Sequence, residues 1–169
     1  MLDVLITIAD HNSKIVEEST LPLLFNSLPD IAPSRSAHVE RAKCWSTLRM
    51  LARLCISNTL FETLVVRLST KLDIIYTPTR DHSIEDDSEA CSAYAHSILK
   101  TLASVLELKI NAKHTDITKY ADRLVPRLYS LFIYLSLDSE KRGVPKTDVR
   151  PLLVAGHIIT LVVQTLSTE

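Results

Sequence analysis

Apolar residues recur every three or four positions along almost the whole chain, which is the period of an amphipathic helix. In the fourth such segment, for example, Leu60, Leu64 and Leu68 share one face. Polar stretches with helix-ending residues separate the segments, and no stretch indicates a strand. The pattern predicts seven helices, at residues 2–9, 13–28, 37–55, 60–76, 88–110, 117–137 and 147–166.

Two of the most apolar helices contain a proline, Pro22 in the second and Pro126 in the sixth. An interior proline removes a backbone donor and crowds the preceding turn, at a cost of about 3 kcal/mol. Packing can offset this cost where neighbouring helices cover the helix, so we expect a bend at Pro126 that follows a curved stack. At Pro22 two interpretations stay open: a similar bend, or the first turn of a new short helix, where proline is tolerated.

The second helices of successive pairs resemble one another. Residues 20–30, 60–73 and 124–137 carry leucines at helical spacing and recur at roughly 40 residues, once an insertion at 77–89 and a longer fifth helix are allowed for. Two helices in such a period are typical of HEAT and armadillo arrays. The predicted fold is therefore all-α, an α–α superhelix of three to four hairpins. We expect one HEAT-like segment, 1–169, with approximate repeats at 1–30, 37–76, 88–137 and a partial one at 147–169.

The two ends of the chain suggest a piece of a longer array. No capping sequence precedes residues 2–9, so this helix reads as the tail of a longer one. Repeats at the ends of an array need polar capping faces, which a fragment lacks. We therefore expect the isolated chain to be a fragment that can self-associate through uncapped ends.

Composition supports a helical fold and narrows the function. Two glycines, Gly143 and Gly156, are too few for the turns of a sheet protein. A formal net charge of −1 gives no reason to expect direct nucleic-acid binding, which usually brings a basic excess. The odd number of cysteines, three, favours a reducing compartment. No Cys-x-x-Cys pair is present in the sequence, which argues against a zinc-binding site. The start is not a signal peptide, and no run approaches the ~18 apolar residues that span a bilayer, so no membrane contact is expected.

The polar stretch at 77–89 is predicted to be a loop and holds the best candidate for a metal or active site. Carboxylates with histidine and cysteine can bind divalent metal, although the calcium-loop pattern is absent. A solvated acidic insertion is the simpler interpretation, and a contact with a basic partner is the functional alternative. The residues in question are His82, Glu85, Asp86, Asp87, Glu89 and Cys91.

The other histidines indicate structural roles. His96 and His157 lie beside apolar neighbours, as core-edge histidines do, while His11, His38 and His114 fall at helix ends, where they can cap or interact with the dipole. The phosphate-loop, nucleophile-elbow and dinucleotide motifs are absent from the sequence. We therefore predict no enzymatic activity and no catalytic, cofactor-binding or metal-binding residue.

A basic strip is predicted on the third helix, opposite an inner face formed by Trp45, Leu48, Leu51, Ala52 and Cys55. Outside that face fall Arg41, Lys43, Arg49 and Arg53, with Arg35 just before the helix. A solvated helix face is the simpler interpretation. The alternative is a docking strip for an acidic protein surface, or a weak phosphate contact, with Arg41, Arg49 and Arg53 as candidate partner-binding residues.

Several segments, taken in order, resemble the Mms-nineteen family, known in yeast as Met-eighteen. They are "LPLLFNSLPD", "ERAKCWSTLRMLARLC", "LFETLVVRLSTKLD", "AYAHSILKTLASVL", "YADRLVPRLYSLFIYLSL" and "HIITLVVQTL". The resemblance extends from about Leu21 to Leu166 and is most specific at 59–73 and 120–137. The chain is similar to a middle segment of that family's long HEAT-repeat protein.

The resemblance implies a non-catalytic scaffold of the cytoplasm and nucleus. The family is known as a nucleotide-excision-repair and transcription factor, and as the adaptor that joins the cytosolic iron–sulfur assembly complex to apo-enzymes such as repair helicases. The implied partners are those proteins, and no cofactor is implied. Three other functions stay open: a small all-α enzyme or metal protein using the cluster from His82 to Cys91, a closed bundle that binds a partner helix, and a generic HEAT-type adaptor or transport module.

Overall fold

The computed structural model describes residues 2–76, 85–134 and 148–166. Within these ranges the chain forms seven helices and no strand, so the all-α prediction is confirmed. The helices are α1 (Leu2–His11), α2 (13–26), α3 (His38–Leu54), α4 (Asn58–Tyr76), α5 (Glu85–Asn111), α6 (116–134) and α7 (Val149–Leu166). Two are composite. Helix α2 consists of an α-helical turn, Ser13–Ile15, a π-helical turn, Val16–Thr20, and an α-helical segment, Leu21–Asn26. Helix α6 begins with a 3₁₀ turn, Asp116–Tyr120, continues as an α-helix, Ala121–Leu128, and ends in a π-helical turn, Tyr129–Tyr134.

The helices pack in two rows. In the first row α1, α3, α5 and α7 contact one another in that order. In the second row α2 contacts α4, and α4 meets α6 through two edge-to-face aromatic pairs. The ring centroids are 4.9 Å apart for Phe61 and Tyr120, and 5.1 Å apart for Tyr76 and Phe132. Successive hairpins thus lie side by side, as the repeat hypothesis requires, while the superhelical course and the repeat boundaries stay predictions.

The core lies between the two rows. From α4 it takes four leucines spaced by four residues, Leu60, Leu64, Leu68 and Leu72, and from α5 it takes Ile98, Leu99, Leu102, Val105 and Leu106. Burying one such side chain fully stabilises the fold by about 1.5–3 kcal/mol. Cys55 is buried here as a free thiol, and burial raises its pKa to about 12, which leaves it unreactive.

Pro22 lies in the first turn of the α-helical segment Leu21–Asn26, where proline is tolerated, but this segment continues a helix and does not begin a new one, so neither interpretation of Pro22 is confirmed. The residues before it are helical as well, in a π-helical turn, so one helix runs through the proline. In that turn the Leu21 N–H donates to the Val16 carbonyl, five residues back instead of four. The residue without an N–H therefore lies where the hydrogen-bond ladder already changes register.

Pro126 lies inside an α-helical segment, Ala121–Leu128, as predicted. A π-helical turn, Tyr129–Tyr134, follows directly after that segment. Both features interrupt the regular ladder, and both are common causes of kinks. Leu124 and Leu128 on either side of the proline are buried, so packing offsets part of its cost. The bend at Pro126 stays a prediction.

The predicted loop at 77–89 is wrong at its end, because α5 begins at Glu85 and not near Ser88. Residues 85–87 are thus the start of a helix and not loop sequence. His82 and its neighbours at 77–84 lie outside the described residues.

The sequence of α7 is almost wholly apolar from Leu152 to Val163 and predicts burial on most sides, but this prediction is wrong. Its inner side, with Ala155 and Ile158, packs on α5 and α6, but Val149 and Leu153 are more than half exposed. The helix has a mean hydropathy of 1.6, and only 22% of its residues are buried. By length and composition it could cross a membrane, which corrects the expectation that no segment approaches that length. A core helix of a soluble protein passes the same test, so the property alone is weak evidence.

Candidate functional site

One face of α3 carries Arg41, Trp45, Arg49 and Arg53, each four residues after the last. Residues at this spacing lie one above another along a helix, so the four side chains form a single row. The opposite side of α3 is buried and contains Cys44, Thr47, Leu48, Leu51 and Leu54. The three arginines predicted as partner-binding residues are therefore brought together, around a tryptophan.

The placement of Trp45 in the inner face of α3 was wrong, since the side chain is 51% exposed. Four-residue spacing from Arg41 and to Arg49 puts it at the edge of the apolar face, and that edge is open to solvent. Its indole N–H donates to the Ser97 hydroxyl of α5 at 3.1 Å. The Ser97 hydroxyl in turn donates to the Ala93 carbonyl at 2.9 Å, so both partners of the indole hydrogen bond are fixed. Trp45 is held in place and still presents half of its surface.

Trp45 lines three neighbouring hollows, which we call together the Trp45 surface. The largest, about 690 Å³, runs along α3 past Arg41, Arg49 and Arg53. A second, about 190 Å³, lies between α3, α5 and the start of α7 and includes His96. A third, about 200 Å³, lies between α3 and α5. The cations that line at least one of the three are Arg41, Arg49, Arg53, Lys100 and Arg150.

The described residues that line the Trp45 surface include cations but no carboxylate. Among the residues that the structure describes, no aspartate or glutamate lines any of its three hollows. A separate hollow of about 330 Å³ beside α4 differs, because two carboxylates, Glu17 and Glu62, accompany Arg67 there. For a chain with a formal net charge of −1, five cations gathered without a lining carboxylate are a local concentration of positive charge.

Some cations of the Trp45 surface have partners and others do not. Arg53 pairs with Asp3 of α1 at 3.0 Å, and Arg150 pairs with Asp148 at 2.6 Å. Within the described part of the chain, Arg49 and Lys100 form no ion pair. Arg41 likewise forms no ion pair there and donates only to the Arg35 carbonyl at 3.3 Å, so three full charges are available to an incoming group.

The electrostatics of the second hollow agree with this picture. The pKa of His96 is lowered chiefly by burial and further by the nearby positive charges of Lys100 and Arg150. The pKa of Asp148 lies well below its usual range, chiefly because Arg150 donates hydrogen bonds to the carboxylate. A hydrogen bond from the Ser92 hydroxyl at 2.7 Å acts in the same direction. The region around Trp45 favours a negative ligand.

A second cluster of charge, missed in the sequence, is buried. Lys109 in the last turn of α5 is 0% exposed, and Asp116 at the start of α6 is 5% exposed; their Nζ and Oδ2 atoms are 2.9 Å apart. Lys109 also donates to the Ile56 carbonyl, between α3 and α4, at 2.9 Å, and its Nζ lies 3.4 Å from His114 Nδ1. The three N–H groups of the ammonium therefore have three acceptors in the His114 tautomer that carries its ring proton on Nε2. The sequence did contain a sign that Lys109 is buried, because Lys109 follows Leu102 and Leu106 at helical spacing on the inner face of α5.

Side chains from α4 complete this cluster, which we call the Lys109 cluster. The Asn58 amide, in the orientation that satisfies the network, donates to both Asp116 oxygens at 3.1 and 3.2 Å. The Lys109 ammonium lies 4.9 Å from the centroid of the Phe61 ring, a cation–π contact. The cluster ties the ends of α5 and α6 to the start of α4, and burial with full pairing indicates a structural role.

The candidate metal ligands are not assembled by the described residues. Within 2–76, 85–134 and 148–166, no group of three or more His, Cys, Asp or Glu side chains could hold a metal ion. Glu89 instead pairs with Arg35 at 3.1 Å, which draws Arg35 away from the α3 row toward α5. The absence of a metal-binding group does not extend to four members of the proposed cluster, since His82 and the side chains of Glu85, Asp86 and Asp87 lie outside the described part of the structure.

His11, His38 and His114 lie at helix ends as predicted, whereas His157, predicted at the edge of the core, is exposed. The ring of His11, the last residue of α1, hydrogen-bonds the Thr7 carbonyl at 2.8 Å. His38 begins α3, and His114 follows α5 as part of the Lys109 cluster. His157 on α7 hydrogen-bonds Glu107 of α5 at 2.8 Å on the exposed side of the two helices. These contacts are structural in kind.

A family model matches residues 47–169, which is more than half of the chain. It is the C-terminal Mms-nineteen model, described as RNAPII transcription regulator C-terminal. This chain belongs to the Mms-nineteen family. Because the model is that of the C-terminal part, the prediction of a middle segment is not confirmed. No curated protein and no solved structure matches the chain at a significant level.

The Mms-nineteen match includes Arg49, Arg53 and the C-terminal part of α3 from Thr47, while Arg41 and Trp45 lie just ahead of it. Family membership points to a regulatory scaffold in transcription and repair, and so to protein partners. The Trp45 surface has the composition that such a role needs. Tryptophan and arginine are the residues that most often dominate the binding energy of protein interfaces.

Proposed function

We propose that this chain is a non-catalytic, protein-binding segment of an Mms-nineteen scaffold. In this proposal it helps to join the cytosolic iron–sulfur assembly complex to apo-proteins of DNA repair, replication and transcription, in the cytoplasm and the nucleus. Membership of a transcription-regulator family supports the scaffold role. The proposal of assembly partners follows from the family resemblance and is open to direct test.

The Trp45 surface is the observation that carries this proposal. The fold does not need an exposed indole or unpaired arginines on α3, because the opposite side of that helix supplies the core contacts. Arg49 and Arg41 are exposed and add little to stability as they stand. An aromatic anchor amid arginines is what a contact surface requires.

A capture experiment tests the proposal. The full 169-residue chain is immobilised, and bound proteins from extract are probed with antibodies against named assembly-complex subunits and apo-helicases. Both classes are expected on the wild-type chain and are expected to be lost from the triple variant Arg41→Glu, Arg49→Glu, Arg53→Glu.

A matched variant controls for charge alone. Arg67→Glu, Lys113→Glu, Arg123→Glu changes the net charge equally at exposed positions on α4, after α5 and on α6, and it is expected to capture both classes. If the wild-type chain captures neither class, the assembly-adaptor proposal is wrong. If the α3 triple variant captures both as well as wild type does, the scaffold uses another surface.

A further inference from the structure

We infer that the Trp45 surface binds an acidic segment of a partner protein, with an apolar side chain on the indole and flanking carboxylates on Arg41, Arg49 and Lys100. This inference deepens the proposed function and rests on it, since it names the chemistry of the partner for the same surface. The occupant is a peptide segment and not a nucleic acid, a membrane or a free phosphate.

Charge complementarity is the first argument. The described residues that line the three hollows include five cations and no carboxylate. Arg49 and Lys100 line the same hollow between α3 and α5 as Trp45 and Ser97, and neither has an ion-pair partner within the described ranges. A ligand that brings carboxylates to this hollow replaces no existing salt bridge at Arg49 or Lys100. The pairing is therefore gained without an internal competitor.

The apolar part of the Trp45 surface is the second argument. Half-buried Ala52 lines the hollow that holds Arg49 and Lys100, and the exposed half of the Trp45 ring adjoins it. A bare phosphate would leave these apolar groups in water. A peptide with a leucine or phenylalanine between acidic residues covers them and adds the burial energy of that side chain.

Pre-organisation is the third argument. The indole N–H is held by Ser97 Oγ at 3.1 Å, and that hydroxyl is itself bound to the Ala93 carbonyl. The ring therefore loses little freedom when a ligand covers it, which lowers the entropic cost of binding.

The near-neutral total charge also distinguishes this chain from nucleic-acid binders, which carry a basic excess over the whole domain.

Trp45 is the only tryptophan in the chain, so its fluorescence reports on this surface alone. The probe is the synthetic peptide DEDLFDED, titrated into the full 169-residue chain. A saturable change in Trp45 emission is expected, and anisotropy of a labelled peptide gives the same affinity. The peptides NQNLFNQN and DEDGGDED, which lack the acids and the apolar pair respectively, are each expected to bind about tenfold more weakly or worse.

Variants of the protein locate the contact. Anisotropy should show a loss of about tenfold or more in affinity for Trp45→Ala and for the double variant Arg41→Glu, Arg49→Glu. The matched double variant Arg67→Glu, Arg123→Glu should stay within about twofold of wild type, since those exposed residues lie on α4 and α6. Circular dichroism confirms that each variant is folded.

Several results would overturn the inference. One is equal affinity for the acidic and neutral peptides, and another is unchanged affinity in Trp45→Ala. A third is saturable binding of inorganic phosphate, of a 20-base DNA duplex or of anionic phospholipid vesicles that displaces the peptide, because the surface would then be a general anion site.

The outcome is separable from that of the capture experiment. Capture of assembly components without binding of DEDLFDED overturns this inference and leaves the proposed function standing. Binding of the peptide without capture supports the inference about partner chemistry and overturns the assembly-adaptor role.

Discussion

Lys109 and Arg49 are both cations on helices of the first row, and their surroundings are opposite. Lys109 is wholly buried, has three hydrogen-bond acceptors and lies over an aromatic ring. Arg49 is exposed and has no ion pair among the described residues. A buried charge must be fully paired, or the fold loses several kcal/mol. An exposed charge carries no such requirement, so its pairing can be left for a partner. The comparison separates residues that hold the fold from residues that are free to bind.

The largest effect on the free energy of unfolding is expected for a substitution of the buried Lys109. Lys109→Met leaves Asp116 buried without its cation, and it should lower the free energy of unfolding by about 3–5 kcal/mol. Lys100→Met removes an exposed lysine from the same helix and should change it by no more than about 0.5 kcal/mol. Urea denaturation followed by circular dichroism at 222 nm measures both.

A compensating variant checks the reason for the effect. If the lost ion pair causes the instability, Lys109→Met combined with Asp116→Leu should recover part of the stability, since no buried charge is then left alone. Equal denaturation midpoints for Lys109→Met and Lys100→Met would show that the Lys109 cluster does not hold the fold.

High pH should destabilise the fold, because it ionises a buried tyrosine, Tyr120. Burial is the main reason that the pKa of Tyr120, which packs edge-on against Phe61, is raised to about 12. A group with a raised folded-state pKa stabilises the fold fully below its unfolded value, near 10, and loses that contribution as the pH rises to about 12. Stability should therefore fall between pH 10 and 12.

Tyrosinate absorbance at 295 nm and circular dichroism, recorded together against pH, measure this fall. In Tyr120→Phe the alkaline loss should be smaller than in wild type, because the variant keeps the ring contact with Phe61 and has no phenol to ionise. A chain whose stability is flat from pH 9 to 12 would contradict the raised pKa of the buried tyrosines.

A smaller change in the free energy of unfolding, this time an increase, is expected for a substitution where α5 ends beside the Lys109 cluster. Lys113 has a φ of 57°, in the left-handed region, and its N–H donates to the Ile110 carbonyl while the His114 N–H donates to the Lys109 carbonyl. This is a Schellman motif, in which glycine is the preferred residue. Lys113→Gly should therefore raise the free energy of unfolding by about 1 kcal/mol. Lys113→Ala, which keeps the steric conflict, serves as the control and should not gain it.

The smallest effect on stability is expected on the exposed side. Arg41→Glu with Arg49→Glu should change the free energy of unfolding by no more than about 0.5 kcal/mol, because neither residue has an ion pair with a described residue. The same variant should abolish capture of partners. A loss of stability as large as that of Lys109→Met would mean that the arginines of α3 hold the fold.

The periodic positions of the sequence were enough to predict the helices and much of the core. Leu60, Leu64, Leu68 and Leu72 lie at the spacing that buries one side of a helix, and the structure buries all four. The row of Arg41, Arg49 and Arg53 followed from the same spacing. Four-residue steps along a helix decide these features, and no information from distant parts of the chain is needed.

Features that depend on contacts between helices were beyond reach. The exposure of Trp45 depends on how far α1 and α5 cover the edge of α3, and the burial of Lys109 depends on Asp116 and Ile56, which belong to other segments. The openness of α7 likewise depends on which helices pack on it. Periodicity identifies the apolar side of each helix but does not show which other helix packs against that side.

The central claim, that Trp45 stands exposed in a field of positive charge, can be measured directly by quenching its fluorescence with ions of each sign at constant ionic strength. We predict that iodide quenches Trp45 more efficiently than caesium, that the difference shrinks in Arg41→Glu, Arg49→Glu, and that it is kept in Arg67→Glu, Arg123→Glu. Equal quenching by the two ions, or no quenching by either, would contradict the account.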